Sequence, residues 1–159
     1  GSRVLKLILN LPFKKIYAND INKKTYKIKN KKIEYCSKIK LLKNADVLTL
    51  HVPSTKFTKN FLSKKNLVKM KKSACIVNTS RGEVINENDL IFLLKKNFFK
   101  NIALDVMGKE PYYGPLLQFE NVSITPHNAS MSFQSRKKMV EGTIQNIINF
   151  YQGKITIKN

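Results

Sequence analysis

The chain is short of acid, of arginine and of cysteine, and each shortage removes a class of function. Ten Asp and Glu stand against thirty Lys and Arg, a net charge of +20. The arginines are Arg3, Arg81 and Arg136 alone. Lysine-borne charge gives salt-dependent affinity for phosphates, but base reading leans on arginine. No helix-turn-helix, zinc or RNA-sheet signature accompanies the lysines. No specific nucleic-acid partner is expected. The lysines read as solvated faces, with weak polyanion binding as their consequence.

Cysteine is nearly absent too. Cys36 and Cys75 fall in different segments, the second in one expected to be buried, so a disulfide framework is excluded and a reduced, cytoplasmic setting is expected. No apolar run approaches membrane-spanning length, and the N-terminal one is broken by Lys6 and Asn10. The start has no signal-peptide cleavage pattern. No basic amphipathic helix with aromatic anchors suggests a membrane surface. Repeats and Pro/Ser-rich linkers are missing as well.

What is present is enough for one substantial core: 159 residues with 42% hydrophobic content. Val4, Leu5, Leu7, Ile8 and Leu9 read as a buried helix over 3–10. Lys15 to Asn19 reads as a strand ending at Asp20, and Ile33-Glu34-Tyr35 as a weaker one. Ser37 can cap a short helix, Val47 to Leu50 is a strand, and a second helix is expected from a Ser63 cap through Leu67 and Met70. Asn86 caps a helix with Leu90, Ile91, Leu93 and Leu94 inside, and Lys95 and Lys96 suit its negative end. A long helix is expected from Ala129, with Val140, Ile144, Ile147, Ile148 and Tyr151 on one face. Ile155 to Ile157 reads as a frayed strand or tail. Helices alternating with short apolar strands predict an α/β fold with a doubly wound parallel sheet.

Chemistry concentrates between Ser73 and His127. Ala74 to Val77 leads into Asn78-Thr79-Ser80-Arg81-Gly82, Ile102 to Leu104 into Asp105, and Val122 to Ile124 into Thr125-Pro126-His127. Ligands of open α/β sheets sit at the carboxyl ends of strands, so a guanidinium, a carboxylate and an imidazole are expected to converge there. Arg81 offers a fork for a carboxylate. His127 is a proton donor or acceptor near neutral pH, and Glu110 nearby would orient its ring and favour the protonated form. Such a set can protonate a ketone oxygen while a cofactor delivers hydride to its carbon. Pro111 to Pro115 is a loop able to shape the mouth of the cleft. His51, at another strand end, reads as a packing or loop-fixing histidine.

Thr79-Ser80-Arg81-Gly82, Ala103-Leu104-Asp105-Val106 with Glu110 five residues after its aspartate, and Thr125-Pro126-His127 resemble the D-isomer-specific 2-hydroxyacid dehydrogenases. Ala45 to Pro53 and Gly1-Ser2-Arg3-Val4 are similar to the same family, which makes five strings in the family's order. The resemblance runs from residue 1 to about 153. It implies a Rossmann-like NAD-binding domain over 1–153 with a tail at 154–159. The implied activity is NAD-dependent oxidation or reduction at the CH–OH carbon of a D-2-hydroxy acid. Arg81, Glu110 and His127 would be catalytic, and no metal is implied.

The cofactor contacts follow from the same resemblance. Gly1 would be the last glycine of the dinucleotide fingerprint, and Asp20, 19 residues on, the acid that binds the adenosine ribose. A carboxylate there favours NAD over NADP, although Lys23 and Lys24 leave NADP open. Val52, Pro53 and Thr58 would line the adenine side. Thr79 and Ser80 would contact the nicotinamide ribose, Asp105 the nicotinamide amide, and Asn128 the cofactor end, alongside Arg81 and His127. The partner is a small 2-keto or 2-hydroxy acid, and a homodimer is implied by analogy.

Family members carry a first strand and two further glycines before the position of Gly1, and a separate substrate domain. The expectation is therefore a sheet lacking its first strand, with two edges unpaired, and a chain inactive alone. Two readings follow: a fragment of a complete dehydrogenase, or a catalytically inactive remnant kept as a binding module.

Overall fold

The computed structural model describes residues 1–22 and 28–154; Lys23, Lys24 and Ile155 to Ile157 lie outside the described residues. Two compact units divide the chain, Gly1–Pro126 and His127–Asn159.

In the first unit, six short strands form in the expected places: β1 (Ile16–Ala18), β2 (Ile33–Tyr35), β3 (Val47–Leu50), β4 (Cys75–Asn78), β5 (Asn101–Leu104) and β6 (Val122–Ile124). All pairings are parallel, in a two-stranded sheet β1-β2 and a four-stranded sheet β3-β4-β5-β6. No ladder among the described residues joins the two. In the larger sheet each new strand is laid beside the previous one. Asn78 therefore stands opposite Leu104, and Leu104 opposite Ile124, so that three carboxyl ends emerge in line.

The helices are α1 (Ser2–Ile8), α2 (Lys38–Asn44), α3 (Lys64–Leu67) and α4 (Glu87–Leu94), with 3-10 turns at Gly82–Val84 and Pro115–Gln118. Ser37 and Asn86 cap as expected, accepting from Lys40 N and Asp89 N. The core joins Leu48, Leu50, Ile76, Ile102 and Leu104 from the strands to Leu42, Leu67, Leu90, Leu93 and Leu94 from the helices. Apolar burial of this kind is the main favourable term in folding.

In the first unit, four expectations need correction. The first helix forms, but none of its residues is buried, and Leu7 is 69% exposed. The Ser63 helix stops at Leu67, and Ser63 makes no side-chain cap. Lys64 N is instead met by Asp89 Oδ2 of α4 at 2.7 Å, while Met70 is buried in the turn beyond. Cys75 is half-buried, because the alternation of β4 turns Ile76 and Asn78 inward instead. Ile91 of α4 is also only half-buried.

The second unit is dominated by α5 (Phe133–Tyr151). It starts four residues later than expected. Asn128 O is spent on a turn to Met131 N, and the effective cap is Ser132, whose hydroxyl accepts from Ser135 N at 3.2 Å. Val140, Ile144, Ile147, Ile148 and Tyr151 are all exposed. No helix among the described residues is long and apolar enough to cross a membrane.

Candidate active site at the strand ends

The end of β4 is built by one side chain. Asn78 is fully buried. Its Oδ1 accepts from Ser80 N at 3.0 Å and Ser80 Oγ at 2.8 Å, and its Nδ2 donates to Arg81 O at 2.9 Å. A buried amide with both ends paired holds the backbone of the following turn in one shape. Thr79 and Arg81 consequently stand exposed at the surface while Ser80 is tucked in. Arg81 Nη1 also donates to Ser80 O at 2.6 Å.

The next strand end is tied to this one. Asp105 N donates to Asn78 O at 3.0 Å, which continues the ladder one residue past β5. The Asp105 carboxylate is buried and accepts from Thr125 Oγ1 at 2.5 Å, while Thr125 N donates to Leu104 O at 2.9 Å. The turn after β5 brings Glu110 to the surface, with its Oε1 accepting from Met107 N at 3.0 Å. The Glu110–Pro111 peptide is cis.

Gly82 sets how closely the two turns approach. A Cβ there would lie 2.0 Å from Met107 C, 2.2 Å from Met107 O and 2.4 Å from Gly108 N. Those atoms are backbone and cannot swing aside. The glycine after Arg81 therefore lets the Arg81 turn pack directly on the turn that carries Glu110. A small cavity lies beneath, lined by Asn78, Gly82, Glu87, Leu104, Met107 and Leu116 among others.

The remaining predicted residues distribute as follows. In the first unit, Gly1 lies at the head of α1 beside the end of β3, where its Cβ position is 3.7 Å from His51 Cβ. Asp20 follows β1, exposed, and accepts from Asn22 N at 2.8 Å through Oδ1. Val52 packs on the core. Pro53 O accepts from Thr58 Oγ1 at 2.6 Å, and Thr58 Oγ1 accepts from Thr55 N at 2.8 Å. His51 Nε2 is 3.0 Å from Thr49 Oγ1, in keeping with a loop-fixing histidine. Burial holds its pKa below the ordinary value. His127 and Asn128 open the second unit, and His127 has a left-handed backbone, φ 54°. Among the described residues no cluster of His, Cys, Asp or Glu could hold a metal ion.

The first unit thus brings together Thr79, Ser80, Arg81, Asp105 and Glu110 on adjoining turns. Asn78 and Thr125 were not singled out as binding residues, yet they hold that arrangement. The signal for Asn78 was a polar residue closing an apolar strand, followed two residues later by a hydroxyl.

Comparison with known proteins gives these strand ends a context. Residues 1–129 match the NAD-binding domain of the D-isomer specific 2-hydroxyacid dehydrogenases. A glyoxylate reductase of Korarchaeum cryptofilum is 35% identical over 157 residues, covering 98% of this chain and 47% of its own length. One from Thermococcus litoralis is 41% identical over 123 residues, covering 77% and 37% respectively. The chain thus spans about half, or less, of the length of these curated relatives. D-lactate dehydrogenase from Aquifex aeolicus, solved with NAD and lactic acid, superposes with a TM-score of 0.81 at 27% identity. That match covers 97% of this chain and 51% of the other. An acyclic imino acid reductase in complex with NADPH and D-Arg superposes at 0.85 with 28% identity, over 97% and 48%.

Proposed function

The chain belongs to the D-isomer-specific 2-hydroxyacid dehydrogenase family, and from that premise we propose that it is the NAD-binding part of an oxidoreductase acting on a small 2-keto or D-2-hydroxy acid. The observation that carries the reading is the tie between strand ends, Asn78 O to Asp105 N and Asp105 Oδ1 to Thr125 Oγ1. It ties the ends of β4, β5 and β6 together at the carboxyl edge of one parallel sheet, where such sheets bind ligands.

The residues present fit a nicotinamide dinucleotide. Asp20 projects past β1, as an acceptor for ribose hydroxyls must, and its charge disfavours a 2′-phosphate. Gly1 presents backbone without a side chain at the head of α1, beside the β3–loop segment carrying Val52, Pro53 and Thr58 on the adenine side. Thr79 and Ser80 supply hydroxyls for the nicotinamide ribose, Asp105 an acceptor for the amide, and Asn128 a further polar contact. The bound cofactor supplies the hydride.

The protein's own work is binding and proton transfer. Arg81 grips the carboxylate of the 2-keto acid and polarises its carbonyl. His127 holds the proton that goes to the carbonyl oxygen, and Glu110 completes the catalytic set. By the same family analogy two copies associate through this domain, which sedimentation of the whole protein tests.

The experiment is NADH oxidation by the whole protein with a panel of 2-keto acids, glyoxylate included, followed by chiral analysis of the product from a prochiral member. Keto-acid-dependent oxidation yielding the D-hydroxy acid is expected. An L product, or no dependence on any 2-keto acid, contradicts the proposal.

A further inference from the structure

Glu110 is an exposed carboxylate on a short turn, and an exposed glutamate samples many rotamers unless something holds it. Its carboxylate closes the turn on itself by accepting from Met107 N. The turn is also gripped from outside at both ends. At its start Met107 and Gly108 press on Gly82.

At its end stands Tyr112, two residues after Glu110 and half-buried. The phenol donates to Glu87 Oε1 at 2.6 Å and accepts from Leu116 N at 3.2 Å. Glu87 is a firm post. It opens α4 directly after the Asn86 cap, and that helix buries Leu90, Leu93 and Leu94. A hydrogen bond to a carboxylate is among the stronger kinds. Burial, then the bond to Glu87, push the Tyr112 pKa up to about 12, so the donor keeps its proton throughout the neutral range.

We propose that Tyr112 is a positioning residue: its hydrogen bond to Glu87 anchors the Met107–Tyr112 segment to α4 and thereby holds the Glu110 carboxylate beside the Arg81 turn. The geometry stands on its own, and its catalytic consequence rests on the function proposed above. Tyr112 touches no substrate in this account. It acts only through Glu110.

The test is hydrogen exchange at the Met107 amide in the whole protein, for wild type, Tyr112→Phe, Glu87→Leu and Glu87→Gln. The first two variants are expected to exchange faster by about tenfold, the factor one net hydrogen bond is worth. Glu87→Gln, which keeps an acceptor oxygen, should stay near wild type. Unchanged exchange in both Tyr112→Phe and Glu87→Leu overturns the proposal.

Kinetics supply a second readout. Tyr112→Phe should lower kcat with little change in KM, and add nothing further in a Glu110→Gln background. Full additivity of the two substitutions overturns the positioning role. If Glu110→Gln alone leaves turnover intact, the catalytic reading fails, while the exchange measurement still decides whether Tyr112 holds the turn.

Discussion

Thr125 Oγ1 donates to Asp105 Oδ1 at 2.5 Å, across the gap between the ends of β5 and β6. Asp105 is buried, and a buried carboxylate is costly unless hydrogen bonds replace its water. The bond therefore joins two strand ends and helps make the burial of this charge tolerable. Thr125→Val keeps the side-chain shape and removes the donor. It should destabilise the fold by about 1–3 kcal/mol, the cost of depriving a buried acceptor, read from the midpoint of denaturant unfolding. An unchanged midpoint would show that the bond contributes nothing.

Asn78 organises the turn that presents Arg81. Asn78→Ala removes three hydrogen bonds at once and frees the backbone at Ser80 and Arg81. The KM for the 2-keto acid should rise, because the guanidinium loses its fixed origin, together with a stability loss of about 1–3 kcal/mol. Steady-state kinetics beside thermal unfolding separates the two effects. A loss of stability with KM unmoved would count against the turn's role in substrate binding.

Gly82→Ala should be among the most harmful single methyl additions in the chain. The new Cβ meets carbonyl and amide atoms of Met107 and Gly108 at 2.0–2.4 Å, so one turn must retreat. Overpacking of this kind costs about 1–3 kcal/mol or more. Wild-type stability in the variant would mean that the two turns do not approach as closely as described.

His51 gives the fold a pH dependence of known sign. Burial holds its pKa below the ordinary value, so the unfolded chain binds its proton more readily than the folded one. The stability it contributes is fully present above the ordinary histidine pKa of about 6.5 and is lost as pH falls through the lower, folded value. His51→Gln should flatten the decline of stability below neutrality relative to wild type, as measured by unfolding at several pH values. Parallel curves for the two proteins would refute the assignment.

Much of this arrangement was legible in the sequence. Apart from β2, with Glu34 at its centre, each strand is a short, mainly apolar run ending in a polar or turn residue, and Ser37 and Asn86 are caps whose signal lies within four residues. Such features are local, so sequence reveals them. The roles of Gly82 and Asn78 depend on a second backbone segment arriving alongside, and nothing in residues 78–82 alone says which segment that is. The Ser63 cap went astray for the same reason: Asp89, 25 residues away in sequence from Lys64, took the amide. The start of α5 is set locally, because Ser132 with Ser135 is a better cap than Ala129. The exposure of α1 could not be read from its apolar residues, because burial depends on what packs over them.

The proposed function makes His127 the proton donor, so its replacement is the most direct test. The measurement is turnover of His127→Ala in the whole protein, with NADH and the best 2-keto acid, alongside NADH affinity. Loss of the proton donor should lower kcat by about two to four powers of ten while NADH affinity changes little. Turnover close to that of the wild type would contradict the assignment of His127 as the acid.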